Sequence, residues 1–287
     1  MSAEAELRVV AAAARAGVDA GALVRRVGGA HHLLHASAKR LDALDVVPGL
    51  ARELAAARRE DVAAYAAELA ARGIVCIARS EPGYPPPLCE LADPPLAVFA
   101  MGAGAGPPPV VPGRCLAIVG ARRAGAPALA LARRLAAFAA EAGMCVVSGM
   151  ALGIDAAGHL GALDAAGATV AVLGCGPDVA YPRTNAGLHR RILATGLVLS
   201  EYPPGTPPAP WRFPARKRET RLPMQVRLNH TVRPCCLCPE MPSPCGPGVV
   251  PRLRQKERAP QSVCRRGGFP PGVSSSRQTS APTTIGL

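Results

Sequence analysis

The sequence predicts an α/β fold in which a Rossmann-like, doubly wound parallel sheet follows a small all-helical domain. Apolar runs alternate with helical stretches at a spacing of about 25 to 30 residues, which suits successive strand–helix–strand units. Glycine turns follow three of these runs, in the segments Leu116–Gly125, Val146–His159 and Val170–Pro182. Because the pattern stops near Arg216, the predicted sheet is truncated at its C-terminal side.

The first 72 residues predict the helical domain, because they are rich in alanine, have helical spacing and carry no strand signal. The segment Leu41–Glu60 has the pattern of a helix, a short Pro-Gly turn and a second helix, as in a helix-hairpin-helix or SAM-like domain. The amides after Pro48 and Gly49 could hold a DNA phosphate. A plain turn within a helical bundle is the alternative that these residues leave open.

Residues 73–113 are predicted to be an extended connector rich in proline and glycine, with short strands. Ile74–Ala78 is an apolar run typical of a strand. The prolines between Ser80 and Gly102 favour extended backbone, and a Gly- and Pro-rich linker follows.

Residues 114–216 are predicted to form the incomplete Rossmann-like domain. The predicted strands are Leu116–Val119, Met144–Val147, Thr169–Leu173 and Leu197–Leu199, and the predicted helices are Ala126–Ala142, Asp155–Ala166 and Asn185–Ala194. Ligands of such open sheets bind at the carboxyl ends of the strands. The three glycine turns therefore predict a phosphate-binding surface there.

Residues 217–287 are predicted to be a disordered tail. Alanine almost disappears, and proline, arginine, cysteine and serine replace it without helix or strand periodicity. The tail cysteines include two adjacent ones, Cys235 and Cys236, but form no paired Cys-x-x-Cys units. Zinc is therefore not favoured, and no metal or other cofactor is expected.

The charge of the chain indicates an anionic partner only weakly. The net charge is +13, but residues 1–216 carry 21 Lys and Arg against 17 Asp and Glu, and residues 217–287 carry 12 against 3. Any nucleic-acid affinity of the body must therefore come from a local patch. The sequence contains no uncharged apolar run of membrane-spanning length and no secretory signal pattern at its start, so we expect a cytoplasmic protein without a membrane partner.

The first glycine turn combines three features that suit a phosphate. Gly120 allows the backbone to bend at the strand end, Arg122 and Arg123 follow, and a helix begins near Gly125. The free amides of a helix start and two guanidinium groups favour an anion. The turn matches neither the dinucleotide fingerprint nor the Walker loop. An ordinary strand–helix loop with surface arginines is the alternative.

The second glycine turn places Ser148, Gly149 and Gly153 between a strand and a helix. Asp155 is predicted to be the N-cap residue of that helix, and direct contact with the ligand is the alternative. His159, one turn further on, is expected to pack or form hydrogen bonds locally.

The third glycine turn contains Gly174 and Gly176, which allow close approach of the backbone to another group. Asp178, Tyr181 and the residues around them shape the loop that follows. Cys175 has no neighbouring base or acid in the sequence that could activate it. The turns therefore predict binding of a phosphate without catalysis.

Several long motifs, in this order, resemble the DNA-processing protein A family (DprA, also called Smf), over residues 5–216. The motifs are AIVGARRA, VVSGMALGIDAAGH, AVLGCGPDVAYP and LSEYPPGTPPAPWRFPAR, preceded by the prolines from Tyr84 to Pro95. The resemblance implies an extended Rossmann-like fold behind a small helical domain. It also implies a protein without enzymatic activity that binds single-stranded DNA, protects incoming DNA and loads the RecA recombinase onto it in natural transformation.

The resemblance also assigns a site. Arg122 is expected to contact a DNA phosphate, while Phe213, Pro214 and Arg216 match the start of a family motif at the same pocket. The full set of residues expected to bind DNA or phosphate is Gly120, Arg122, Arg123, Ser148, Gly149, Gly153, Gly174, Gly176, Phe213, Arg216 and Lys217.

The match to the family ends after Arg216. The motif normally continues with asparagine, where this chain has Lys217; Arg218 still fits, and nothing matches from Glu219 onward. In the family the missing part supplies more strands, the rest of the pocket, and surface for a homodimer and for RecA. A frameshift, a fusion or a misplaced gene end explains the break, and a genuine lineage-specific tail is the alternative.

Two other functions remain open from the sequence. The first is an enzyme that acts on a nucleotide or sugar phosphate, for which Asp155 and Asp178 are the nearby acids. The second is a product that does not fold stably and leaves a sheet edge exposed.

Overall fold

The computed structural model describes residues 3–44, 49–103, 114–213 and 225–228 of the chain. Within these ranges a helical N-terminal part leads into a sheet with helices. The helices of the first part are α1 (Ala3–Ala16), α2 (Ala20–Val27), α3 (Ala30–Leu34), α4 (Ala38–Asp42), α5 (Gly49–Ala57) and α6 (Val62–Ala71). Pro48 of the predicted hairpin lies outside the described residues.

Local side chains explain where several of these helices begin and end. Asp19 accepts a hydrogen bond from the amide of Ala22 at the start of α2, and Asp61 accepts from two amides at the start of α6. Gly28 ends α2 in the left-handed conformation, with φ of 83°.

The sheet holds the site and is mixed. Its strands are β1 (Ile74–Ala78), β2 (Ala97–Met101), β3 (Cys115–Gly120), β4 (Cys145–Ser148), β5 (Thr169–Leu173), β6 (Leu197–Ser200) and β7 (Gln225–Leu228), and its other helices are α7 (Pro86–Cys89), α8 (Ala126–Glu141), α9 (Ile154–Asp164) and α10 (Ala186–Thr195). The strand order is β1-β2-β6-β5-β4-β3-β7. The strands β3 to β7 pair in parallel, while β2 pairs antiparallel with both β1 and β6.

This architecture confirms the predicted α/β class with a parallel Rossmann-like sheet behind a helical segment. The strands and helices predicted between residues 114 and 216 are all present, and their ends lie within two residues of the predicted ones. Two strands of the predicted connector, β1 and β2, extend the main sheet, with Ile74 opposite Met101.

One strand corrects the prediction that the tail contains none. Gln225–Leu228 forms β7, which pairs in parallel with β3 from Ala117 to Gly120. The four residues alternate between polar and apolar types. They pair with the backbone amide and carbonyl groups on the outer side of β3, which would otherwise be the edge strand. Sequence periodicity is too short over four residues to reveal this pairing. The other residues of the predicted tail lie outside the described ranges.

Apolar side chains cover both faces of the sheet. On one face Leu116, Ile118 and Val146 pack with α8 and α9. On the other face Val147 and Val172 belong to a core that includes Tyr84 and Leu88. The helix α9 can pack closely against α8 because Gly161 has no side chain. A β-carbon at this position would meet the backbone of Arg133.

A further core joins the N-terminal helices to the sheet. Leu33, Leu50 and Leu54 from the helices pack with Leu96 and Phe99 around β2. This core continues across residue 72, where the sequence analysis places a domain boundary, and the boundary itself stays a prediction.

Hydrogen bonds to a buried carboxylate also join the parts of the chain before and after residue 72. Glu6 of α1 is fully buried and accepts hydrogen bonds from the amide and hydroxyl of Ser80, at 3.0 and 2.8 Å. Arg79 lies 3.6 Å from the same carboxylate.

In the described part of the chain no helix is both long and apolar enough to span a bilayer.

Candidate functional site

The carboxyl ends of β3, β4, β5 and β6 lie at one edge of the sheet, because these strands are parallel. The three glycine turns start at this edge, after Gly120, Ser148 and Leu173. In the first turn Arg122 and Arg123 are exposed. The helix α8 then begins behind Gly125 without a side-chain cap. Pro127, in the first turn of this helix, has no amide hydrogen, and the amide of Ala128 donates to the carbonyl of Gly125 at 3.1 Å. The two guanidinium groups are therefore what makes this surface suited to an anion.

Gly153 holds the second turn against the first. Its φ of 81° lies in the left-handed region. A β-carbon at this position would lie 2.3 Å from the carbonyl oxygen of Ala121 and 2.7 Å from that of Arg122. The next amide, of Ile154, donates to the carbonyl of Ala121 at 3.3 Å. Only glycine allows this approach, so the second turn fixes the backbone that carries Arg122.

The structure corrects the predicted role of Asp155. The N-cap residue of α9 is Gly153, and Asp155 lies inside the first turn of the helix. Its buried carboxylate accepts a hydrogen bond from the amide of Gly120 at 3.4 Å. The helix begins earlier than predicted because the amide of Ile154 is already bound to the first glycine turn. Asp155 therefore connects the two turns.

Ser148 lies at the end of β4, where its side chain is fully buried. Its hydroxyl donates to the carbonyl of Ile118 at 2.6 Å. The hydroxyl is thus used between two strands, and Gly149 beside it is also buried.

The third turn brings Phe213 to the first. A β-carbon at Gly174 would lie 3.4 Å from the ring of Phe213, so the glycine allows the ring to approach the end of β5. The guanidinium of Arg122 lies over the same ring, 5.7 Å from its centroid. Tyr181 stacks on Phe213 with 5.4 Å between centroids. Arg122, Phe213 and Tyr181 therefore form one cluster at the carboxyl edge.

The loop after the third turn is fixed by backbone contacts. The amide of Gly176 donates to the carbonyl of Thr206 at 2.9 Å. Asp178 accepts from the amide of Gly205 at 2.8 Å and forms an ion pair with Arg72, also at 2.8 Å. These contacts hold the loop after β5 against the loop after β6.

Asn185 links the third loop to the second turn. Its side-chain amide donates to the carbonyl of Met150 at 2.9 Å. Met150 is fully buried and has a φ of 56°, a left-handed conformation that costs a residue with a side chain about 1–2 kcal/mol. The hydrogen bond from Asn185 helps to hold this unfavourable conformation.

The loop before Phe213 contains two residues that the sequence analysis did not select. Arg212 is buried and donates to the carbonyl of Pro207. Its guanidinium lies 4.8 Å from the ring centroid of Tyr202 and 4.9 Å from that of Trp211. Burial lowers the pKa of Arg212. Their loop has no periodicity, but Trp211 is the one tryptophan of the chain, and that rarity was the available signal.

The remaining predicted residues fall into two groups. Arg216, Lys217 and the neighbouring Pro214 lie outside the described residues. His159 is fully buried and its Nδ1 lies 2.8 Å from the hydroxyl of Thr169, so the expected local contact is confirmed. Among the described residues, no cluster of three or more His, Cys, Asp or Glu side chains could hold a metal ion.

The part of the chain that contains these turns is similar to known proteins. The family model of DNA recombination-mediator protein A matches residues 75–220, just over half of the chain. The match begins in β1 and includes the glycine turns and the Phe213 loop. It does not include the helices α1 to α6.

Two curated relatives have similar sequences. A putative DNA processing protein DprA of Mycobacterium tuberculosis is 47% identical over 124 residues, which are 43% of this chain and 31% of the relative. The DNA processing protein DprA of Bacillus subtilis is 34% identical over 171 residues, 60% of this chain and 52% of the relative. The matched part of the chain thus spans about half or less of these relatives.

A solved structure has a similar fold. The X-ray structure of DNA processing protein A from Streptococcus pneumoniae superposes with a TM-score of 0.50 at 30% sequence identity, covering 61% of this chain and 59% of that one.

Proposed function

Because this chain belongs to the DNA recombination-mediator protein A family, we propose that it acts in DNA processing by binding single-stranded DNA at the carboxyl edge of its sheet. The bound strand is then available for a RecA-type recombinase, which the protein loads during natural transformation. The protein acts in the cytoplasm and has no catalytic role. A homodimer belongs to the same proposal.

The cluster of Arg122 and Phe213 beside the first glycine turn carries this proposal. The exposed guanidinium of Arg122 can bind a phosphate, and its position over the Phe213 ring limits its freedom. A phosphate-binding cation beside an aromatic ring is the combination that proteins use for single strands.

The acids near the edge support binding rather than turnover. The carboxylate of Asp155 is buried and accepts from the amide of Gly120. The carboxylate of Asp178 accepts from the amide of Gly205 and pairs with Arg72. The two acids that the sequence offers for an enzyme near the glycine turns are therefore both engaged in holding loops.

The first test measures binding of a fluorescently labelled oligothymidylate to the full chain at several salt concentrations. We expect Arg122→Ala to weaken binding about tenfold. The slope of the logarithm of the binding constant against the logarithm of the salt concentration is expected to become shallower by about 0.7, the value for one phosphate contact on a single strand. Arg134→Ala is the matched control, because Arg134 is an exposed arginine of α8 and its loss removes the same charge.

Two results contradict the proposed site. One is an absence of oligonucleotide binding by the full chain, and the other is an Arg122→Ala variant whose affinity and salt dependence equal those of Arg134→Ala. Saturable binding and turnover of a mononucleotide would instead favour an enzyme. Recombinase loading is tested separately, by the rate of RecA filament formation on the single strand with and without this protein.

A further inference from the structure

Trp211 is the single tryptophan of the chain, and it is exposed two residues before Phe213 of the Arg122–Phe213 cluster. The structure leaves 39% of its surface open, although it is the largest apolar side chain and large aromatic residues are usually covered. Isolated exposed apolar residues are common on protein surfaces. Exposure alone therefore assigns no role to Trp211.

The indole is held in place from two directions. The guanidinium of Arg212 lies over the indole, 4.9 Å from its centroid. The ring of Tyr202 meets it nearly at a right angle, with 6.1 Å between centroids and 85° between planes. Arg212 is itself anchored, because it is buried and donates to the carbonyl of Pro207. The indole therefore presents an ordered aromatic surface with a cation behind it.

The same short segment reaches the phosphate site. A β-carbon at Gly174 would lie 3.3 Å from the carbonyl oxygen of Arg212 and 3.4 Å from the ring of Phe213. Phe213 in turn lies under the guanidinium of Arg122. Trp211, Arg212 and Phe213 are consecutive, so Trp211 lies two residues along the chain from the ring under Arg122.

We propose that Trp211 is a stacking platform for a base of the single strand whose phosphate is bound at Arg122. This inference rests on the proposed function and adds a base contact to it. Every nucleobase has an aromatic face, so the platform accepts any base sequence. Arg212 supports the stack because its cation–π contact holds the indole in place.

The test uses the intrinsic fluorescence of the full chain, to which Trp211 is the single tryptophan contributor. Titration with oligothymidylate is expected to quench this emission, with the same midpoint as the anisotropy of a labelled oligonucleotide. An oligonucleotide of abasic sites, which keeps the phosphates and lacks bases, is expected to bind more weakly and to leave the emission nearly unchanged.

Substitutions give the second readout. Trp211→Ala is expected to weaken oligothymidylate binding about 5- to 150-fold, the range for loss of one stacked base, while Trp211→Phe keeps most of the affinity. Phe138→Ala is the matched control, because Phe138 is an aromatic residue with 72% of its surface exposed on α8, and its affinity is expected to equal that of the wild type.

Two outcomes overturn the platform while leaving the proposed function intact. In the first, anisotropy shows binding and the emission of Trp211 does not change. In the second, Trp211→Ala binds as tightly as Phe138→Ala. If anisotropy shows no binding at all, the platform and the proposed function fail together.

Discussion

Replacing Gly153 by alanine tests whether the first two glycine turns depend on one another. Alanine at a φ of 81° costs about 1–2 kcal/mol from its conformation alone. The new β-carbon would also lie 2.3 Å from the carbonyl oxygen of Ala121. Since non-bonded atoms rest about 3.5 Å apart, the two turns must separate by about 1 Å. We expect Gly153→Ala to lose at least about 3 kcal/mol of stability, the range of severe single substitutions.

Gly143→Ala separates the two costs. Gly143 has a φ of 73°, and a β-carbon there would meet no atom within 4 Å. This variant therefore pays the conformational cost without a clash, and we expect it to lose about 1–2 kcal/mol. Urea unfolding of both variants measures the difference between them.

The same two variants differ in the DNA-binding assay. Gly153→Ala displaces the backbone that carries Arg122, so we expect oligothymidylate affinity to fall by about tenfold or more under conditions where the variant is still folded. Gly143→Ala, in the turn before β4, is expected to bind as the wild type does. Equal stabilities of the two variants, or an unchanged affinity of Gly153→Ala, would refute the coupling between the turns.

Two further substitutions test contacts elsewhere. Asn185→Asp places a carboxylate oxygen opposite the carbonyl of Met150, which loses its 2.9 Å hydrogen bond; we expect a loss of about 1–3 kcal/mol in urea unfolding and weaker DNA binding, and equality with the wild type would contradict this role. Burial raises the pKa of Tyr65 to about 12, whereas the unfolded chain releases this proton near 10. The unfolded state therefore binds fewer protons above about pH 10, and stability falls as the pH rises from about 10 to 12. Tyr65→Phe is expected to lose less stability over this interval in urea unfolding, and parallel losses in both proteins would contradict the assignment.

The sequence predicted the parallel part of the sheet well, because its information is local. Runs such as Val170–Leu173 are apolar throughout, as is typical of strands covered on both faces, and the structure has this strand at the predicted residues Thr169–Leu173. The spacing between the runs leaves one helix for each crossover. Sequence order and the right-handed crossover rule then fix the arrangement.

The parts that sequence missed depend on contacts between distant residues. The start of α9 moved because the amide of Ile154 binds the carbonyl of Ala121, thirty-three positions earlier in the chain. The strand β7 is defined by its hydrogen bonds to β3, and a pattern of four residues does not predict this pairing. Arg212 and Trp211 lie in a proline-rich loop, and only the folded chain shows that the backbone of Arg212 lies beside Gly174 at the end of β5.

The shared core around Phe99 has a consequence for how this protein can be divided. Leu33, Leu50 and Leu54 cover Leu96 and Phe99, and Glu6 has its hydrogen-bond donors in Ser80. A fragment that starts at β1 would expose the apolar side chains of Leu96 and Phe99 to solvent. It would also leave Ser80 without Glu6 as its acceptor. Exchange of the N-terminal helices with those of a relative therefore requires the residues on β2 to be exchanged with them. Helices within residues 3–44 and 49–71 thus contribute to the core that covers β2.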